Sequence, residues 1–481
     1  RSHNYNGAFA FRPGLTWTAI SSGLPAFRQV PKGFKFDAKG PMGFGQENTI
    51  LHLLGFLNSS VATALLKMLA PTLDFKLGKV ESLPAVIDKF DDGHIAIVRD
   101  LCDLHKFDWN SSEAAIGFES PRQFPSTSAR TWWENRLVEC EGLVDRVIEL
   151  EKRNNEYAIS ATGLGEHISA DVLNSQVSLW ANPLHVFRPK KKKGDADSME
   201  DEVEETSDLT EETGGVADAS ALAIKFRYKA LRELLSYGIG TIMGRYSLDE
   251  PGLIYAHEGG IGFNPGRYQT FPADQDGILP VTEDDFFGEE DTANRLSRWV
   301  MTVWPNSPLD ENLDFIADAL GRKANETALE AIRRYLATDF YKDHLQTYKK
   351  RPIYWLFSSG KHRAFQALVY LHRYNESTLS TMRSDYVTPL FGKLSARISA
   401  AEIAAQTGST SERKAATKRL EKLRAQQLEL TEFDRRLHHY ALQRVSLDLD
   451  DGVKVNYGKF SDPTIGDILA NVKDITGGKD E

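Results

Sequence analysis

The chain has 481 residues, 41% of them hydrophobic and 10% aromatic, with a formal net charge of −10. That length exceeds a single core and predicts two to four domains. No apolar run reaches the about eighteen residues of a membrane span, and two cysteines, Cys102 and Cys140, make neither a thiolate zinc site nor a disulfide framework. A cytoplasmic protein with reduced thiols is expected. The opening at Arg1, with no apolar signal region, suggests the later part of a longer polypeptide.

In chain order, residues 1–90 are rich in Gly, Pro and aromatics, with short alternating runs such as "GFKFDAK" that predict strands and turns. One helix, "TILHLLGFLNSSVATALLKML", interrupts them. Residues 91–188 form a helical region, because Trp132, Leu137, Leu143, Val144, Val147, Ile148 and Leu150 recur near helical spacing. Residues 189–220 hold four lysines and eleven acids, a net −7 of the total −10, so the rest carries only −3. With no aromatic and blocks of like charge, that stretch predicts a disordered acidic linker. Residues 221–392 form a mixed region containing the helices "LDENLDFIADAL" and "TALEAIRRYLATDFYKDHLQTY". Residues 393–445 predict an antiparallel helical hairpin, with Ser409 and Glu412 as a capping box and Leu420, Leu423, Gln427, Leu430 and Leu437 on its seam. Residues 446–481 read as a short strand and a tail. The fold class is therefore α+β, multidomain.

Catalytic patterns are missing. The pairs Asn182-Pro183-Leu184 and Asn264-Pro265-Gly266 do not continue as the base-holding tetrad of an amino-methyltransferase must. In "YGIGTIMGR", Gly238, Gly240 and Gly244 lack the spacing of a cofactor loop and suit close helix packing. "EDDFFGEED", Glu283 to Asp291, reads as an exposed acidic loop, and the adjacent His438 and His439 point to different helix faces. No catalytic residue, metal site or cofactor site is expected in this chain.

Two acid-poor segments stand out instead. From Arg1 to Gln46 six bases face one acid, Asp37, on a strand-and-turn background with Trp17, Phe27, Phe34 and Phe36 between them. Such surfaces suit DNA, since Lys and Arg neutralise phosphate and loop side chains reach base edges. The candidates are Trp17, Arg28, Lys32, Lys35 and Lys39. The second segment, "KKRPIYWLFSSGKHRAFQALVYLHRYN", has no acid from Lys349 to Asn375. Its aromatics largely belong to a core, and a helix starting near Lys361 would offer a phosphate seat at its first amides. Lys349, Lys350, Arg351, Lys361, His362 and Arg363 are the candidates there.

"RPGLTWTAISSGLPAFRQVPKGFKFDAKGPMGF" and "LLGFLNSSVATALLKMLAPTLDFKLGKVESLP" resemble the target-recognition region of large single-chain adenine methyltransferases. "YGIGTIMGRYSLDEPGLIYAHEGGIGF", the acid-free segment and "DLDDGVKVNYGKF" resemble the carboxyl-terminal half of the PglX family of BREX phage-defence systems. The resemblance covers nearly the whole chain. It implies methyl transfer from S-adenosylmethionine to adenine in double-stranded DNA, with the cofactor and catalytic motifs in a preceding half that is absent here. The expectation is a DNA-recognition and scaffolding half, inactive alone, whose partners are duplex DNA, the missing half and other defence subunits. A protein-interaction scaffold, docking through the helix around Trp132 and the hairpin, is the alternative.

Overall fold

The computed structural model describes residues 6–20, 26–37, 39–69, 75–188 and 219–477. The expected acidic linker lies almost wholly outside the described residues. The chain divides into two compact units, one holding residues 1–110 and 137–191 and the other 111–136 and 192–481. Mostly helical elements with small antiparallel sheets make an α+β architecture.

In the first unit, β1 (Gly14–Thr16), β2 (Arg28–Val30) and β3 (Met42–Gly43) form an antiparallel sheet with β1 central. Thr16 stands opposite Arg28 on one side and Met42 on the other. A Cβ at Gly14 would lie 2.2 Å from the Gly43 carbonyl oxygen, so only glycine allows this strand approach. Leu15, Trp17 and Phe27 are buried from the sheet side against Leu51, Leu54, Phe56, Val61 and Leu66.

Those last residues belong to two helices, Glu47–Leu57 and Ser60–Leu69, where the sequence predicts one. The axes bend by 69°. Asn58 makes the corner: its Oδ1 accepts from the Phe27 amide and its Nδ2 donates to the carbonyls of Phe27 and Leu54, each at 3.0 Å. A polar side chain that satisfies loop backbone competes with helix continuation. The helix Asp92–Trp109 packs against Glu47–Leu57 and is capped by Asp91, whose carboxylate accepts from the His94 amide at 3.1 Å. No single helix among the described residues is long and apolar enough to cross a membrane. The long helix Ala129–Thr162 gives its residues through Arg136 to the second unit and the remainder to the first.

In the second unit, β4 (Ile278–Pro280), β5 (Tyr354–Ser358) and β6 (Gln366–Tyr370) form an antiparallel sheet in the order β4-β6-β5. All of β6 and four of the five residues of β5 are buried. The acid-free composition therefore has a packing cause: both sheet faces are covered, so the aromatics are core and carboxylates have no place. The expected helix near Lys361 does not form; residues 359–365 are the connecting loop of the β5–β6 hairpin. Nor is the carboxyl-terminal region a loose tail after a strand. "GVKVNYG" is a helix, Gly452–Gly458, and residues 468–470 run beside β5, with Ser358 N donating to Ile468 O and Ala470 N to Leu356 O, both at 2.9 Å.

The helical hairpin consists of Thr388–Gln406 and Thr410–Gln443. Ser409 and Glu412 close the capping box, at 3.3 Å and 2.7 Å. Leu423, Leu430 and Leu437 are buried, joined by Gln426, Phe433 and Tyr440, the alternating three-and-four spacing of a packed helical seam.

Candidate nucleic-acid interface

The first acid-poor segment becomes a strap between β2 and β3. The Gly33 amide donates to Phe11 O and the Phe11 amide to Phe34 O, both at 3.0 Å, and the Ala19 amide donates to Lys39 O at 3.0 Å. The lone acid, Asp37, is committed to this turn: its Oδ1 accepts from the amides of Lys39 (2.8 Å) and Gly40 (2.7 Å). Arg28, Lys32, Lys35 and Lys39 are exposed. Neither they nor Arg12 has an ion-pair partner among the described residues. Cations without carboxylates are available to a polyanion.

Trp17 is a correction. It is 3% exposed, sits in the core, and its Nε1 donates to Phe75 O at 2.8 Å. An indole so enclosed has no face for DNA. The segment exposes other rings instead: Phe9 (39%), Phe11 (51%) and Phe34 (51%). The Arg12 guanidinium lies 5.2 Å from the Phe9 ring centroid and Lys35 Nζ 5.2 Å from that of Phe11. Phe9 and Phe11 escape a reading that starts from the bases. The alternation in "AFAFRP" beside Arg12 is the signal that could have found them.

The second segment divides into two clusters at opposite ends of β5, about 17 Å of strand apart. Lys349 and Lys350 are exposed and left-handed, with φ of 49° and 59°. The Lys349 amide donates to Gln346 O (3.2 Å) and the Lys350 amide to Leu345 O (2.8 Å), the Schellman closure of helix Phe340–Thr347. Cations there complement the negative end of the helix dipole. Arg351 follows, exposed.

At the other end, the loop 359–364 does seat an oxyanion, and that oxyanion is the protein's own. The Glu429 carboxylate, from the second hairpin helix, accepts from Ser359 Oγ (2.7 Å), the His362 amide (2.6 Å) and the Ala364 amide (3.1 Å). Gln426 Nε2 adds a bond to His362 O at 3.0 Å. Arg363 is half-buried and pairs with Glu283 at 2.9 Å, while Lys422 holds the other Glu283 oxygen at 2.6 Å. Burial works to raise the Glu283 carboxyl, but the hydrogen bonds from Lys422 and Arg363 overcome it and hold the group below its ordinary value. Lys361 and His362 remain exposed. The structure thus leaves the first segment's cations together and available, and disperses or engages those of the second.

"EDDFFGEED" is not a free acidic loop. Asp284 meets Arg397 (3.1 Å) and Arg419 (3.3 Å), and buried Asp291 caps the helix Thr292–Val303 and meets Arg333 (3.1 Å). Among the described residues no group of three or more His, Cys, Asp or Glu is placed to hold a metal. The glycines of "YGIGTIMGR" sit against packed side chains. A Cβ at Gly238 would lie 2.9 Å from Leu296 and 3.2 Å from Trp299, and one at Gly240 2.5 Å from Tyr246.

No protein-family model matches the chain. It is 38% identical to the adenine-specific methyltransferase BrxX of Escherichia coli O9:H4 (strain HS), over 98% of this chain and 37% of that protein. It is 33% identical to the adenine-specific methyltransferase PglX of Lacticaseibacillus casei (strain Zhang), over 95% of this chain and 35% of that protein. The chain therefore spans little more than a third of the length of these relatives. Along nearly all of its own length, it is similar to these two adenine-specific methyltransferases, BrxX and PglX.

Proposed function

We propose that this chain is the DNA-recognition and scaffolding part of an adenine-specific DNA methyltransferase of a BREX phage-defence system. The relatives' activity motivates the substrate. The observation that carries the reading is the strap from Arg28 to Lys39, whose four cations have no carboxylate partner among the described residues and stand beside exposed aromatic rings. Arg28, Lys32, Lys35 and Lys39 neutralise phosphates of the duplex. Lys350, Arg351, Lys361 and His362 contribute at most peripheral charge, because the amides and the arginine of that segment are already bonded within the fold. S-adenosylmethionine and the catalytic motifs belong to the remainder of the longer protein, so this chain alone transfers no methyl group.

The test is duplex binding over a salt series. Each phosphate contact contributes close to one unit to the log–log slope. The quadruple variant R28E/K32E/K35E/K39E is expected to lower that slope by about three to four units and to weaken binding of all duplexes alike. An unchanged slope would overturn the reading.

A scaffold role has its own support. Trp132 is fully buried and offers nothing to a partner, but the hairpin helices expose Ile403 (65%), Leu428 (73%) and Leu442 (71%). Other defence subunits retained on the chain after nuclease treatment would support docking there, and their loss would count against it.

A further inference from the structure

We infer that Phe11 and Phe34 form an aromatic wedge that stacks on nucleobases at an opened step of the bound duplex. The inference rests on the reading of the strap as a DNA-binding face and names what that face does beyond neutralising phosphate. Each ring is half exposed, and Phe9 beside them is 39% exposed. Phe11 and Phe34, far apart in sequence, are brought together by backbone hydrogen bonds, and an exposed apolar patch of large rings marks a binding surface.

The backbone fixes the wedge. The Phe11 amide bonds Phe34 O and the Gly33 amide bonds Phe11 O, so both rings stand on a two-bond ladder and not on a free loop. Gly33, at φ +108°, makes the turn behind Phe34, a conformation that favours glycine. Behind the exposed rings, Phe44 packs against Phe9 at 5.1 Å and Phe36 at 5.6 Å between centroids, giving an aromatic base. Lys35 over Phe11 and Arg12 over Phe9 put positive charge beside each ring.

Charge complementarity selects the occupant. An apolar partner surface would be penalised by five cations without an ion-pair partner among the described residues, whereas a nucleic acid supplies phosphates for the cations and π-faces for the rings. Gln29, exposed on β2 beside Arg28, adds a donor and acceptor for a base edge.

Two variants of the full chain separate the wedge from the electrostatic reading. F11A/F34A removes only exposed rings, so its thermal unfolding should match the parent. It is expected to weaken binding to mixed-sequence duplexes by about ten- to a hundredfold with an unchanged salt slope. It should also abolish the fluorescence rise of 2-aminopurine placed at central steps of those duplexes. K32E/K35E is expected to lower the slope by about two units and to keep the fluorescence rise at saturation. If K32E/K35E behaves so while F11A/F34A keeps parental affinity and fluorescence, the wedge is wrong and the DNA-binding face stands. If neither variant changes binding, both fall. If F11A/F34A instead loses binding only to anionic phosphatidylserine vesicles, the rings serve a lipid surface and the wedge is overturned.

Discussion

The two acid-poor segments look alike as strings of bases and aromatics, yet the fold uses them in opposite ways. In the strap from Arg28 to Lys39 the cations have no ion-pair partner among the described residues, and exposed Phe11 and Phe34 stand among them. In the segment 349–375 the aromatics Tyr354, Trp355, Phe357, Phe365 and Tyr370 are each at most 1% exposed. Its bases cap a helix, pair with Glu283 or flank a loop already filled by Glu429. Interleaved charge and aromaticity therefore has two physical origins. One is an exposed surface whose cations lack ion-pair partners among the described residues, which the proposed function assigns to a polyanion. The other is a buried hairpin whose interior excludes carboxylates, leaving cations at its ends.

That contrast can be broken most forcefully at Trp17. As a core indole bonded to Phe75 O, its replacement in Trp17→Ala should lower the stability of the first unit by about 3–5 kcal/mol, read by urea unfolding. A surface contact would instead lose DNA affinity at unchanged stability. Acid tests the first unit next. Burial, then the neighbouring His52, lowers His94 to about 4 from an ordinary 6.5, so the folded unit holds it neutral. Its contribution is complete above pH 6.5 and is lost progressively as pH falls towards 4, reaching about 3 kcal/mol. His94→Gln should flatten the decline in thermal stability across that window; an equally steep decline would remove His94 as its cause. The third effect lies in the second segment. Glu429→Ala strands the amides of His362 and Ala364 and should lower stability by about 2 kcal/mol while leaving DNA affinity and its salt slope alone. A rise in affinity with a steeper slope would show that Glu429 holds a phosphate seat shut, and the contrast between the segments would fail.

Helices were legible because their signals are local. Ser409 and Glu412 are three residues apart, Leu423, Leu430 and Leu437 keep a seven-residue interval, and each does what its spacing predicts. The β5–β6 hairpin was not, since "YWLFS" and "QALVY" are buried on both faces and show no alternation that separates strand from helix. The candidate site divides the same way. That Arg28, Lys32, Lys35 and Lys39 cluster in an acid-poor stretch was legible from charge alone. Whether a cation is available depends on carboxylates distant in sequence: Glu429 lies seventy residues from Ser359, and Glu283 eighty from Arg363. Trp17 was misjudged for that reason, its partner Phe75 being fifty-eight residues away.

Hydrogen–deuterium exchange of the full chain with and without saturating duplex DNA measures both segments at once. The account predicts protection by DNA over residues 28–40, above all at the exposed amides of the strap, with exchange at the amides of 359–364 unchanged because Glu429 already holds them. Protection at 359–364 with none at 28–40 would contradict it.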